Sequence, residues 1–175
     1  MTTAYATNGA DPVVVRDCGP RDLDVVHALH VDAVLHSTAI WQETPHPRAY
    51  FDDWLAERQG DGYPVLVAEV DGTVAGYATY SQWRPHHGYR LTVEHSVYVV
   101  ESFRGRGIAS TLMRSLVERA TAEGRHVMMA GICSTNTGSI ALHEKLGFST
   151  VAVVPEVGRK FDRWLDLTLM RLPLA

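Results

Sequence analysis

The chain has little cysteine, no long apolar run and no excess of positive charge, and each absence excludes something. Its two cysteines, Cys18 and Cys133, stand far apart and match neither a redox nor a zinc spacing. They read as reduced thiols of a cytoplasmic protein, not as a disulfide framework. No apolar run approaches the ~18 residues that a membrane span needs, and the start Met1-Thr2-Thr3-Ala4-Tyr5 lacks the charged and apolar regions of a signal peptide. A net charge of -4 argues against a nucleic-acid partner, which selects for a basic face. An anion site must then come from local clustering. The nine histidines repeat no His/Cys/Asp ligand spacing, so no metal is expected. Internal repeats and low-complexity segments are absent as well.

What remains is a globular composition, 46% hydrophobic and 21% charged over 175 residues, long enough for one domain with a substantial core. Residues 1–12 are polar and read as a flexible tail, with the domain spanning 13–175. Val13–Arg16 reads as a strand, and Asp22 caps a helix carrying Leu23, Val26, Leu29, Ala33 and Val34 at helical spacing. Residues 37–47 read as a loop, in which Trp41 and Glu43 either line a pocket or anchor the packing. A second helix follows Pro47, with Phe51, Trp54 and Leu55 on its buried face. Strands 65–70 and 73–81 are joined by Asp71-Gly72, a two-residue hairpin signal. The stretch from Trp83 to Arg90 is irregular.

The later half alternates. A β-branched strand from Thr92 to Val100 leads through Gly105 and Gly107 into a helix ending before Gly124. Val127–Ile132 reads as a strand buried on both faces, Asn136–Leu146 as a helix, and 148–154 and 164–172 as the last strands. Gly158–Arg163 reads as a basic loop between them. The order implies a mixed α/β fold, with antiparallel hairpins first and crossovers later.

A strand entering a helix through a glycine turn holds phosphates. Orphan amides at the helix start point outward, and the helix dipole favours negative charge there. Arg104 and Arg106 add positive charge. The loop is no Walker A motif, for it has no lysine, and Ser110 stands where the dinucleotide fingerprint has its third small residue. Arg104-Gly105-Arg106-Gly107-Ile108-Ala109 instead resembles the acetyl-coenzyme A motif Arg/Gln-x-x-Gly-x-Gly/Ala of the GNAT superfamily of N-acyltransferases. Asn136 to Phe148 resembles the superfamily's Asn-x6-Tyr-x3-Gly-Phe segment, with His143 at the tyrosine position.

The blocks Ala39–Pro45, Gly62-Tyr63-Pro64, Thr92–Val99, Pro155–Phe161 and Trp164–Thr168 are similar to one branch, the phosphinothricin / methionine sulfoximine N-acetyltransferases. The likeness runs from Val14 to Leu172. It implies a splayed mixed sheet flanked by helices, acetyl-CoA as cosubstrate, a small amino acid analogue as acceptor and a homodimer. It implies coenzyme contacts at Val97, Tyr98, Val99, Arg104, Gly105, Arg106, Gly107, Ile108, Ala109, Asn136 and Ser139, and acceptor contacts at Arg84, Pro85, His86, Trp41 and Glu43. Two places depart from the branch. Cys133-Ser134-Thr135 stands where acidic residues are usual, and His86-His87 replaces an aromatic-acidic pair, which touches the acceptor's identity.

Acetyl transfer to an amine needs an uncharged nitrogen, so a base must take a proton. Glu94 is the candidate base, since a carboxylate within a β-branched strand is costly to bury unless paired or titrating near neutrality; the alternative is a salt-bridged sheet carboxylate. His143 is the candidate acid toward the leaving thiolate, or a packed helix residue. His95, on the opposite strand face, reads as structural. An amide near Val97–Val99, freed by a bulge or splay, would steady the oxyanion. Arg84 and Arg90 flank one irregular loop, and Arg159, Lys160 and Arg163 form a second basic cluster, suited to gripping an anion or simply solvated. Two other readings stay open: a peptide or protein N-acetyltransferase, and a coenzyme-binding sensor without turnover.

Overall fold

The computed structural model describes residues 3–7 and 10–174, with side chains from Pro12 onward. Eight strands and four helices follow one another along the chain: β1 (Thr3–Thr7), β2 (Ala10–Asp17), α1 (Leu23–His36), α2 (Tyr50–Gly60), β3 (Val65–Val70), β4 (Thr73–Gln82), β5 (Thr92–Val99), α3 (Ile108–Ala122), β6 (Val127–Cys133), α4 (Thr137–Lys145), β7 (Ser149–Lys160) and β8 (Arg163–Pro173). They fall into two compact units: Met1–Leu29, His46–Ser81 and His95–Arg119 make the first, and His30–Pro45, Gln82–Glu94 and Ala120–Ala175 the second.

The first unit is an antiparallel meander of β1, β2, β3 and β4. Its β3–β4 turn is Asp71-Gly72, both at positive φ (48° and 76°), the conformation a tight primed hairpin requires. Leu23, Val26 and Leu29 of α1 and Phe51 and Leu55 of α2 pack against Val65, Val67 and Tyr77. That arrangement follows from apolar residues at helical spacing meeting apolar residues at strand spacing. On α3, Ile108, Leu112, Met113 and Leu116 are buried.

The second unit is a mixed sheet. The start of β5 pairs parallel with β6, which pairs antiparallel with β8, which pairs antiparallel with β7. The last β5–β6 pair in register is Glu94–Met129, although β5 runs on to Val99 and β6 to Cys133.

Two boundaries differ from expectation. Thr3–Thr7 pairs with β2 through Thr3–Val15, Ala4–Val14 and Tyr5–Val13, so part of the stretch read as a tail is strand; Met1, Thr2, Asn8 and Gly9 lie outside the described residues. The basic loop is mostly strand too. Gly158, Arg159 and Lys160 pair with Leu165, Trp164 and Arg163, and only Phe161-Asp162 turn, both at positive φ. Pro155 hides this continuity in the sequence, because a register shift between Val154 and Gly158 absorbs it before pairing resumes.

Candidate active site

In the first unit, β5 ends at Val99, a 3-10 turn covers Glu101–Phe103, and α3 begins at Ile108. Between them Gly105 (φ 75°) and Gly107 (φ 82°) hold left-handed backbone, and a Cβ at either would meet nothing within 4 Å. The glycines therefore serve conformation, and the space above them is open. Thr111 donates its amide to the Gly107 carbonyl at 3.0 Å, so the Ile108, Ala109 and Ser110 amides stand ahead of the helical ladder. Arg104 Nε donates to the Val99 carbonyl at 3.3 Å, tying the loop to the strand end, and the Arg106 guanidinium lies 5.3 Å from the Phe103 ring centroid. The loop thus exposes amides and two guanidinium groups, a donor set that could hold an anion.

Of the three strand residues before it, Tyr98 turns its ring into the core, 5.2 Å from Tyr77. Burial pushes the Tyr98 phenol above its ordinary value. The close approach behind this is made by Gly76, where a Cβ would stand 2.5 Å from the Tyr98 carbonyl oxygen. Strand β4 carries a bulge: the β3–β4 register slips between Ala68–Gly76 and Glu69–Val74, and the extra residue, Ala75, accepts the Val100 amide at 2.9 Å. His95 is buried, as its strand face predicts.

In the second unit, Glu94 is half-buried and its Oε1 stands 3.1 Å from where a Cβ on Gly131 would be. Gly131 is exposed, so the carboxylate sits in a gap left by a missing side chain, open to solvent on one side. Burial raises the Glu94 carboxyl above its ordinary value, and the Arg84 guanidinium partly offsets that. Arg84 lies 4.9 Å from the Trp83 ring centroid, and Trp83 packs edge-on against Tyr89 at 5.4 Å. Gln82 Nε2 donates to the Arg84 and His86 carbonyls, which fixes the backbone between them. Arg84, Pro85 and His86 are exposed.

Asn136 and Ser139 are joined by capping: Asn136 Oδ1 accepts the Ser139 amide at 3.1 Å at the start of α4. His143 is 1% exposed, stacked edge-on against Phe148 at 5.0 Å. Its Nδ1 lies 2.7 Å from the Ser139 carbonyl, which can only accept, so Nδ1 carries the proton. Burial lowers the ring's pKa despite that bond, so the neutral form is favoured and Nε2 is an acceptor. This geometry disfavours the general-acid role expected of His143, because proton donation from Nε2 needs the imidazolium that burial opposes.

Trp41 and Glu43 part company. The Trp41 indole lies on Gly158, where a Cβ would come within 2.1 Å of Cε3, and Nε1 donates to the Thr38 carbonyl at 2.9 Å. Glu43 is exposed. Lys160, read with the basic cluster, is 1% exposed, and its ammonium donates to the Ala33, Ser37 and Ile40 carbonyls. It caps the end of α1 and holds the loop that carries Trp41, so its donors are committed within the fold. Gly76 and Gly131 carry no motif, and the Pro155–Phe161 block does not say what Gly158 and Lys160 touch. A glycine interrupting an apolar strand is the one sign that something approaches closely. Among the described residues no group of His, Cys, Asp and Glu could hold a metal, and no helix is long and apolar enough to cross a membrane.

Residues 27–148 match the sequence model described as the acetyltransferase (GNAT) family. The chain belongs to the GNAT acetyltransferase family. It is 51% identical over 161 residues to an L-methionine sulfoximine/L-methionine sulfone acetyltransferase of Pseudomonas aeruginosa, covering 91% of this chain and 94% of the relative. Two solved structures superpose closely. One is a Salmonella typhimurium acetyltransferase with its cofactor acetyl-CoA (TM-score 0.91, 44% identity, 93% and 94% of the two chains). The other is a GNAT superfamily phosphinothricin acetyltransferase of Sinorhizobium meliloti in complex with acetyl-CoA (TM-score 0.90, 37% identity, 93% and 89%).

Proposed function

We propose that this GNAT protein transfers acetyl from acetyl-CoA to the α-amine of small amino acid analogues such as phosphinothricin, methionine sulfoximine and methionine sulfone. The observation that carries this reading is the Glu94 carboxylate, half-buried over Gly131 with its pKa raised. An α-ammonium must lose a proton before its nitrogen can attack, and a carboxylate whose pKa is raised by burial is a stronger base than one in water. Glu94 takes that proton, directly or through water. The amine then bonds to the thioester carbonyl carbon, the carbon–sulfur bond breaks, and the thiolate leaves, taking up the second proton that the nitrogen sheds as the amide forms.

Acetyl-CoA supplies the activated acyl group. The Gly105–Ala109 amides with Arg104 and Arg106 hold its pyrophosphate, and backbone at Val97, Tyr98 and Val99 runs beside its arm. Asn136 and Ser139, at the start of α4, are further coenzyme-contact candidates. Arg84, Pro85 and His86, with Trp41 and Glu43, frame the amino acid, Arg84 supplying the charge for its carboxylate.

The protein acts as a homodimer, a reading supported by Val151, Val153, Val157, Phe161 and Trp164, apolar side chains on β7, β8 and their turn that are 50–61% exposed. Its free thiols at Cys18 and Cys133 suit a cytoplasmic enzyme that detoxifies such analogues and so confers herbicide resistance. An acceptor panel measuring coenzyme thiol release tests the proposal. Release with these analogues and little with peptides bearing a free N-terminus is the expected result. Faster turnover of peptides would replace this reading with that of a peptide N-acetyltransferase.

A further inference from the structure

A cavity of about 360 Å³ in the second unit is lined by His36, Thr38, Thr135, Asn136, Phe161 and Arg163, with Ser37 and Ala39 between them. No carboxylate lines it, in a chain whose net charge is -4. Its neighbouring acids are engaged: Asp32 pairs with His36 at 3.1 Å and Asp162 with Arg159 at 3.1 Å. Arg163 makes no ion pair among the described residues. Lys160 fixes one wall by holding the Ser37 and Ile40 carbonyls, and the turn that follows Lys160 brings Phe161 and Arg163 to another.

Strand β6 runs from beside the proposed base toward Thr135, which lines the cavity. Gly131 and Cys133 share one face of β6, two residues or about 6.6 Å apart. Glu94 lies over Gly131, and the Cys133 sulfur lies 3.3 Å from the Thr135 hydroxyl. Burial pushes the Cys133 thiol up, yet the Thr135 and Thr38 hydroxyls, the Thr135 amide and Arg163 together outweigh it and hold its pKa below the ordinary value. These donors therefore already favour negative charge at that point.

Resting on the acceptor class above, we propose that this cavity is the subsite for the acceptor's distal end, a tetrahedral oxoacid or sulfonyl group, with Arg163 as its anion-gripping side chain. An amino acid with its amine at Glu94 carries such a group about four bonds, or about 5 Å, away, a reach comparable to the spacing from Gly131 to Cys133. The cavity would then discriminate by charge and oxygen count at the far end, separately from the α-carboxylate.

Steady-state kinetics of wild type, Arg163→Ala and Arg163→Lys on phosphinothricin, methionine sulfone and methionine test this. Because Arg163 is exposed, neither substitution removes core packing. In Arg163→Ala the ratio of KM for phosphinothricin to KM for methionine rises about tenfold or more, the worth of a charge-assisted hydrogen bond, and Arg163→Lys restores part of it. A smaller rise in that ratio overturns the subsite while leaving the acceptor class standing. Failure of wild type to acetylate any of the three overturns the acceptor class, and the subsite with it.

Discussion

The Glu94 carboxylate occupies the space that a side chain on Gly131 would fill, its Oε1 only 3.1 Å from that Cβ position. Substituting Gly131→Ala therefore moves the carboxylate by tenths of an ångström without removing it. The expected result is about a tenfold loss in kcat/KM for the amino acid, since small misplacements of a reacting group are costly. KM for acetyl-CoA should stay within about twofold, because the glycine loop is untouched. Equal losses for both substrates would mean that Gly131 supports the fold and not the base.

Glu94→Gln removes the proton acceptor and keeps the shape. Its kcat/KM should fall about 100-fold or more at neutral pH, and the acid limb of the wild-type pH profile should vanish with it. That limb should lie above the ordinary carboxylate range, since burial raises the Glu94 pKa. Stability moves the other way. A carboxyl whose folded pKa is raised favours the fold while protonated, and that contribution disappears as pH climbs from the unfolded value through the folded one. Glu94→Gln should thus unfold at a temperature no lower than wild type at pH 7, as thermal denaturation would reveal.

Trp41 and Gly158 form a second pair of the same kind. Gly158→Ala drives a methyl into the indole and should cost about 1–3 kcal/mol of stability by overpacking. The same substitution on a Trp41→Ala background should cost under about 0.5 kcal/mol, because the clash has gone. Denaturant unfolding of the four variants completes the cycle. Additive losses would show that the indole does not rest there in solution.

The left-handed backbone at Gly107 gives a separate handle on the coenzyme. Gly107→Ala should cost about 1–2 kcal/mol in the loop conformation and raise KM for acetyl-CoA about tenfold, with KM for the amino acid nearly unchanged. An unaltered coenzyme KM would remove the loop from the pyrophosphate site.

The glycine loop and the mixed sheet were legible because each rests on local rules: alternation along β5, helical spacing in α3, and a turn that only glycine tolerates. Arg104 through Ala109 announces itself in six consecutive residues. Gly131 beneath Glu94 and Gly158 beneath Trp41 do not, because each pairing joins segments 37 or 117 positions apart. Lys160 reads as one more surface cation beside Arg159. Only the fold shows its ammonium spent on three backbone carbonyls. His143 was recognised by position, but its environment decides its protonation state, and Ser139 and Phe148 set that environment through the turns of α4.

The interruption in β7 has a consequence for solubility. β7 lies at the outer edge of its sheet and exposes Val151, Val153 and Val157 along its length. A flat edge of this composition would template strand-by-strand growth between molecules. Pro155 offers no amide for such a ladder, and the register shift between Val154 and Gly158 bends the strand out of plane. The valines can thus meet another surface face-on, while the edge itself resists being extended into an aggregate.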